Sequence, residues 1–183
     1  MTTILTHQLD NFVNNTLALY DRSKKDMLVE YDPDWPSPCY RREGAAGEQV
    51  LWRPSPQNGK NQFANVESAL GITLNDQFCE FFTRYYSNNL AATASEGDCE
   101  LLQVWNDEDF ARLQENLIGH VLMKRRLKQV PTLFFAVTDE DDYILSVRND
   151  TGEVVLEPVG KPPTKVIADD LASFLASLTP RIS

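Results

Sequence analysis

The sequence predicts an α+β fold in one domain, a mostly antiparallel sheet packed with several helices. Three observations predict it. Apolar residues recur at helical spacing near the start, in two stretches between 64 and 85, between 107 and 128, and again after 171. Strand-like runs lie between the last two of these, and two of the runs are joined by a short polar turn. The chain has 183 residues, 42% of them apolar, which is enough for one real core.

Each element has its own signal. Leu5, Leu9, Phe12, Val13, Leu17 and Tyr20 recur as one face of a helix over residues 1–22, which stops near Ser23-Lys24-Lys25. Residues 23–48 and 53–64 read as loops rich in Pro and Gly. Pro33, Pro36 and Pro38 remove backbone donors, and Pro54, Pro56 and Asn58-Gly59 mark a second loop. Between them Gln49-Val50-Leu51-Trp52 reads as a short strand. Val66, Ala69 and Leu70 share the face of a helix that Gly71 closes. Phe78, Phe81, Phe82 and Tyr85 form an aromatic stripe on the next, which core burial explains better than a ligand platform.

Glu100 to Trp105 reads as a strand leading into the clearest helix, Asp107 to Lys128. Asn106 is its N-cap, and Asp107, Glu108 and Asp109 sit at the positive end of its dipole. Lys124, Arg125, Arg126 and Lys128 sit at the negative end, and Phe110, Leu113, Leu117 and Val121 make its buried stripe. Thr132–Val137, Tyr143–Val147 and Val154–Leu156 read as strands. Asn149-Asp150-Thr151-Gly152 turns the last two into a hairpin. Leu171, Phe174, Leu175 and Leu178 define a closing helix.

Composition narrows the function. There are 17 Lys and Arg against 27 Asp and Glu, a net charge of −10. Nucleic-acid binding needs clustered cations, and adsorption to anionic lipid needs them too, so both are excluded and a basic partner is favoured. The longest strictly apolar run, Leu133 to Val137, is far short of the roughly 20 residues of a membrane span. The first seven residues read without the cationic and apolar regions of a signal peptide. Three widely spaced cysteines, Cys39, Cys79 and Cys99, fit a reduced cytosolic protein. Whether Cys39 is exposed in its Pro-rich loop is left open, and without a neighbouring base it reads as an inert thiol.

Catalytic and metal motifs are missing. His7 and His120 are the only histidines, and no HExxH, CxxC, P-loop, GxGxxG or GxSxG occurs. His120 reads as a packed residue of the long helix. The carboxylates carry more. Asp107 and Asp109 have a helix-terminus explanation, whereas Asp139-Glu140-Asp141-Asp142 exceeds what a turn needs. Four adjacent acids repel one another by roughly 1 kcal/mol per close pair in water. Residues 1–60 carry 7 basic and 8 acidic groups, residues 61–128 carry 6 and 10, and residues 129–183 carry 4 and 9. The field belongs to the later two thirds of the chain and predicts an acidic face.

Several stretches resemble the Syd family of SecY-interacting proteins of Gram-negative bacteria. They are Pro36-Ser37-Pro38-Cys39, Trp52, Asn65 to Leu70, Leu101 to Trp105, Arg126-Leu127-Lys128, Pro131 to Phe134 and Asn149 to Val154. The most specific is Asp109 to His120, with its Gln-Glu-Asn-Leu-Ile-Gly-His core. Glu67 to Ile72 and Tyr143 to Leu156 are similar, more widely, to the SUKH superfamily. The resemblance implies a SUKH-like single domain with no catalytic activity and no cofactor. It implies a peripheral protein at the cytoplasmic face of the inner membrane, whose concave acidic groove meets basic cytosolic loops of SecY. A role in checking assembly of the SecYEG translocon goes with it.

On charge grounds, Asp139, Glu140, Asp141 and Asp142 are the first candidates for that groove, and Asp107, Asp109 and Glu115 the second. Trp105 or Trp35 is a candidate aromatic anchor, while Trp52 reads as core. Two other readings stay open. One is a SUKH-type immunity protein that neutralises a basic toxin. The other is a hydrolase built on a carboxylate pair, which requires two acids converging in a pocket with one pKa strongly raised.

Overall fold

The computed structural model describes residues 2–183. Five helices and eleven strands alternate along the chain. Helix α1 spans Ile4–Arg22, with Thr3 and Thr6 each accepting from the other's backbone N–H in a capping box. Strands β1 (Leu28–Glu30), β2 (Gln49–Leu51) and β3 (Ser55–Pro56) follow, the first two paired with each other. Segments 23–48 and 53–64 are therefore mostly irregular but carry short strands. Helices α2 (Ala64–Leu70) and α3 (Asp76–Thr83) come next, and Gly71 closes α2 at φ 66°, a left-handed conformation glycine takes without strain.

The main sheet begins after β4 (Tyr85–Tyr86), with β5 (Leu90–Ala94) and β6 (Gly97–Leu101). Helix α4 (Asp107–Arg126) interrupts it before β7 (Thr132–Thr138), β8 (Tyr143–Arg148), β9 (Val154–Pro158) and β10 (Lys165–Ala168). Helix α5 (Leu171–Ser177) and β11 (Thr179–Pro180) close the chain. Seven strands pair antiparallel in the order β10-β9-β8-β7-β6-β5-β11. The domain is α+β, as the sequence predicts. No helix among the described residues is long and apolar enough to cross a membrane.

Adjacent residues of a strand point to opposite faces, and Phe134 and Phe135 show where each layer lies. Phe135 packs edge-on against Phe81 of α3 and Phe174 of α5, while Phe134 packs against His120 of α4. Helices α1, α3 and α5 thus share one face, and α4 covers part of the other. The aromatic stripe on α3 is core, since Phe78, Phe81 and Phe82 are fully buried, but Tyr85, expected on the same helix, lies past its end in β4 and is half-buried.

Two other expectations need correction, and one point left open by the sequence is settled. The strand expected over 100–105 is displaced to Gly97–Leu101, because the chain leaves the sheet after Leu102, whose N–H makes a last bond to the Phe135 carbonyl of β7. Asn89 Oδ1 accepts the Gln103 N–H instead of a ladder partner. Ala69 is exposed; Val66 and Leu70 alone carry the buried face of the two-turn α2. Cys39 is fully buried, and desolvation pushes its thiol up to about 11, so it is unreactive as well as hidden.

The C-terminal half of α4 is fastened to the sheet by buried charge. Lys124 is wholly enclosed, and its ammonium has three acceptors: Glu157 Oε1 at 3.1 Å, Gln129 Oε1 at 3.0 Å and the Lys161 carbonyl at 2.9 Å. Thr132 donates its hydroxyl to the same Glu157 oxygen at 2.9 Å. His120 Nε2, 3.0 Å from that hydroxyl, is then its donor and carries a proton. Burial first, and the Lys124 ammonium second, hold His120 down at about 4. Burial raises the Glu157 carboxyl, and Lys124 opposes that rise.

Lys124→Met leaves Glu157 buried without its counter-charge, so urea denaturation should show a loss of about 3–5 kcal/mol. Lys124→Met combined with Glu157→Leu should recover most of that loss. His120 gives a separate expectation. Its folded pKa lies below its unfolded one, so its contribution is complete above pH 6.5 and is lost as pH falls toward 4. Thermal midpoints of His120→Gln, taken across that window, should fall less with acid than those of the parent chain.

Candidate functional site

A cleft of about 700 Å³ opens between α4, β1 and the stretch Leu102 to Trp105. Its floor is apolar, with Phe82, Val104, Trp105, Leu113 and Phe134. Amides and a hydroxyl line its side: Ser87, Asn88, Asn89, Gln103 and Asn116. Its charged groups are Glu30, Asp32 and Asp109 against Arg112, and Tyr31, Trp35 and Tyr40 complete the wall. A mouth with three carboxylates and one guanidinium attracts cations. The Arg112 guanidinium lies 5.0 Å from the centre of the Trp35 ring, a cation–π contact from α4 to the Pro-rich loop.

The cleft is held open by a knot of hydrogen bonds where α4 begins. Asn106 Oδ1 accepts the Asp109 N–H at 2.8 Å and so caps the helix, as the sequence predicts. The Asn106 amide also donates to the Pro36 carbonyl at 2.8 Å. Asp109 reaches back and accepts the Trp105 N–H at 2.8 Å. The Ser37 hydroxyl donates to the Trp105 carbonyl at 2.6 Å and accepts the Cys39 N–H at 3.1 Å. Every partner here is short and polar, which is how a Pro-rich segment with few backbone donors is bound to a helix start. Trp105 is pinned at both backbone groups, and its ring packs edge-on against Tyr40 and Trp52.

The candidate residues are distributed as follows. Asp109 and Trp105 line the cleft, but Trp105 is only 5% exposed and forms its floor. Trp35 is half-buried at the wall. Asp107 belongs to a neighbouring depression. There it pairs with Lys60 at 2.6 Å and accepts from Asn61 and Tyr86, contacts that hold its carboxyl down at about 2. Glu115 is exposed on α4 outside the cleft. Asp139, Glu140, Asp141 and Asp142 form the exposed β7–β8 connection, and the first two line a second cavity that shares no residue with the cleft. Trp52 is core.

The cleft also contains residues the sequence reading did not single out. Glu30 and Asp32 are isolated acids with no local signal. Arg112 and Asn116 had one: with Asp109 and Leu113 they follow the spacing i, i+3, i+4, i+7, which places all four on one face of α4. Burial does raise one carboxyl, that of Glu157, but it is sealed against Lys124 and lines neither cavity. The acid pair that a hydrolase requires is therefore not formed there.

Ser37→Ala tests the knot. It removes the partner of two backbone groups in a part-buried setting, which costs about 2 kcal/mol. Urea titration should show that loss, with a red-shifted tryptophan emission as water reaches the floor of the cleft.

Three of the stretches that resemble a known family contribute to this cleft, namely Leu101 to Trp105, Asp109 to His120 and Pro131 to Phe134, and comparison with known proteins gives the same family. The family model described as Syd protein (SUKH-2) matches residues 6–180. Curated relatives named Protein Syd include one from Alteromonas mediterranea, 51% identical over 98% of both chains. Another, from Pseudoalteromonas atlantica, is 43% identical over 98% of both. A third, from Colwellia psychrerythraea, is 46% identical over 82% of this chain and 80% of its own. With a family model and relatives that match it nearly end to end, the chain belongs to the Syd family.

Proposed function

We propose that the chain is a binding protein rather than an enzyme, and that its acidic cleft takes basic cytosolic loops of the SecY channel. It would then sit peripherally at the cytoplasmic face of the inner membrane and check assembly of the SecYEG translocon. One observation carries the reading. The stretches that resemble the Syd family supply much of the cleft: Leu102 to Trp105, then Asp109, Arg112, Leu113 and Asn116, and Phe134. SecY comes from that resemblance, and the charge of the cleft mouth supplies the chemistry independently.

The physical form of the interaction follows from the lining. A Lys or Arg stem lies on Val104, Leu113 and Phe134, with its cation near Glu30 and Asp32. Tyr31, Trp35 and Tyr40 offer rigid aromatic surface for the same segment. Asp139, Glu140, Asp141 and Asp142 act at a distance, adding to the field that draws a basic partner in and raising the association rate. Screening bears on both. The Debye length is about 10 Å at 0.1 M salt and about 3 Å at 1 M, so affinity falls as salt rises.

Sedimentation with inverted inner-membrane vesicles tests this. The pelleted fraction should rise when SecYEG is overproduced and drop between 0.1 M and 1 M salt. Glu30→Lys with Asp32→Lys should weaken binding roughly tenfold with little change in thermal midpoint, because both residues lie at the solvent-facing mouth. Asp141→Lys with Asp142→Lys should slow association more than it speeds dissociation. Pelleting that ignores SecYEG, or that ignores both salt and the cleft variants, contradicts the proposal.

A further inference from the structure

A net charge of −10 excludes lipid adsorption by the surface as a whole, but not by a corner of the opposite sign. Cations gather where α1 ends and β1 begins. A depression of about 130 Å³ there is lined by Lys25, Arg41 and Arg53, beside Tyr20, Leu51 and Trp52. Backbone bonds fix the arrangement. The Arg41 N–H donates to the Leu51 carbonyl at 2.9 Å, and the Trp52 N–H to the Met27 carbonyl at 3.1 Å. The negative end of the α1 dipole accounts for cations that follow the helix, Lys25 among them. Arg41 and Arg53 come from the β2 side and owe nothing to a helix end.

Asp21 and Asp26 line the same depression without cancelling these charges. Asp21 lies 3.7 Å from Arg53 with both side chains exposed, a pairing worth little in water. Among the described residues, Lys25 and Arg41 take part in no ion pair within 4 Å. Apolar surface adjoins them. Leu28 of β1 and Leu51 of β2 stand directly opposite in register and so share one face, where they are 49% and 46% exposed. Single exposed leucines are ordinary. A pair rimmed by unpaired cations selects an occupant that is apolar and anionic together, as an anionic bilayer is.

We propose that this corner, formed by Lys25, Leu28, Arg41, Leu51 and Arg53, is a contact surface for an anionic phospholipid bilayer. The leucines reach the boundary of headgroups and acyl chains, and the cations lie among the phosphates with their stems on apolar surface. Screening reconciles the contact with the acidic remainder of the chain, since exposed charges more than about 10 Å away count for little at 0.1 M salt. Two leucines and a few cations make a weak, reversible contact whose effect is to orient the chain. Glu30 of the cleft is two residues from Leu28, so the cleft mouth lies close to the bilayer. What fills the cleft has no bearing on this surface, since none of its five residues lines the cleft.

Lipid nanodiscs that hold no SecYEG and carry a nitroxide-labelled headgroup test this by methyl-resolved NMR. In phosphatidylglycerol discs the Leu28 and Leu51 methyls should broaden, while those of Leu113 in the cleft and Leu127 at the cationic end of α4 should stay sharp. Affinities come from biolayer interferometry on immobilised discs. Phosphatidylcholine discs should bind at least roughly tenfold more weakly. Lys25→Gln with Arg41→Gln removes two unpaired cations and should weaken binding to phosphatidylglycerol discs roughly tenfold. Leu28→Thr with Leu51→Thr keeps the charge and suits a strand, and should weaken it by at least roughly threefold. Unperturbed core methyls of Leu5 and Leu9 check folding in each case. If the threonine variant does not fold, the glutamine variant decides. Leu28 and Leu51 methyls that stay sharp, broadening confined to Leu127, equal affinity for the neutral discs, or folded variants that bind like the parent would overturn the proposal.

Discussion

Much of this molecule depends on how the first turn of α4 is tied to the Pro-rich loop. Asn106 does two jobs with one side chain, capping the helix with its oxygen and holding the Pro36 carbonyl with its nitrogen. Asp109 and Ser37 then take the two backbone groups of Trp105. A segment with three prolines in six residues cannot join a sheet, because it lacks the donors for a ladder. Side chains perform that task instead. The outcome is a wall for the cleft, a rigid floor under it, and a burial site for Cys39.

Helix α4 is secured at both ends by different chemistry. Its start is tied by neutral and charge-assisted hydrogen bonds near the surface, its end by a fully buried lysine with three acceptors. A buried ion pair is weak evidence for stability, since replacing both partners by apolar groups is often neutral or better. What Lys124 and Glu157 do provide is register, because only one rotation of α4 places the ammonium against both the sheet and the Lys161 carbonyl. That same rotation turns Asp109, Arg112, Leu113 and Asn116 toward the cleft. Packing on one side of the helix therefore positions recognition on another.

The sequence showed most where local rules act alone. Helix α4 is legible because its cap, dipole charges and buried stripe agree, and the β8–β9 hairpin because Asn149 to Gly152 is a turn in its own right. Strand β5 went unread, since Leu90-Ala91-Ala92-Thr93-Ala94 is mostly alanine, a poor strand former held here by its neighbours on both sides. Strand β10 is short and bulged at the sheet edge. The site followed the same division. Charge arithmetic gave the sign of the partner, and the run of four acids after β7 drew attention because it is contiguous. Glu30 and Asp32 reach the cleft only through tertiary pairing of β1 with β2, which no local pattern announces.

The central claim is that the cleft, rather than the charge of the whole surface, meets the SecY channel. Site-specific photo-crosslinking addresses it directly. A benzophenone amino acid at position 116, inside the cleft, is compared with one at position 166, on the exposed edge of β10. Irradiation in inner-membrane vesicles rich in SecYEG should join the chain to SecY from position 116 and not from position 166. Adducts from 166 alone, or from neither position while the chain still pellets with the vesicles, would contradict it.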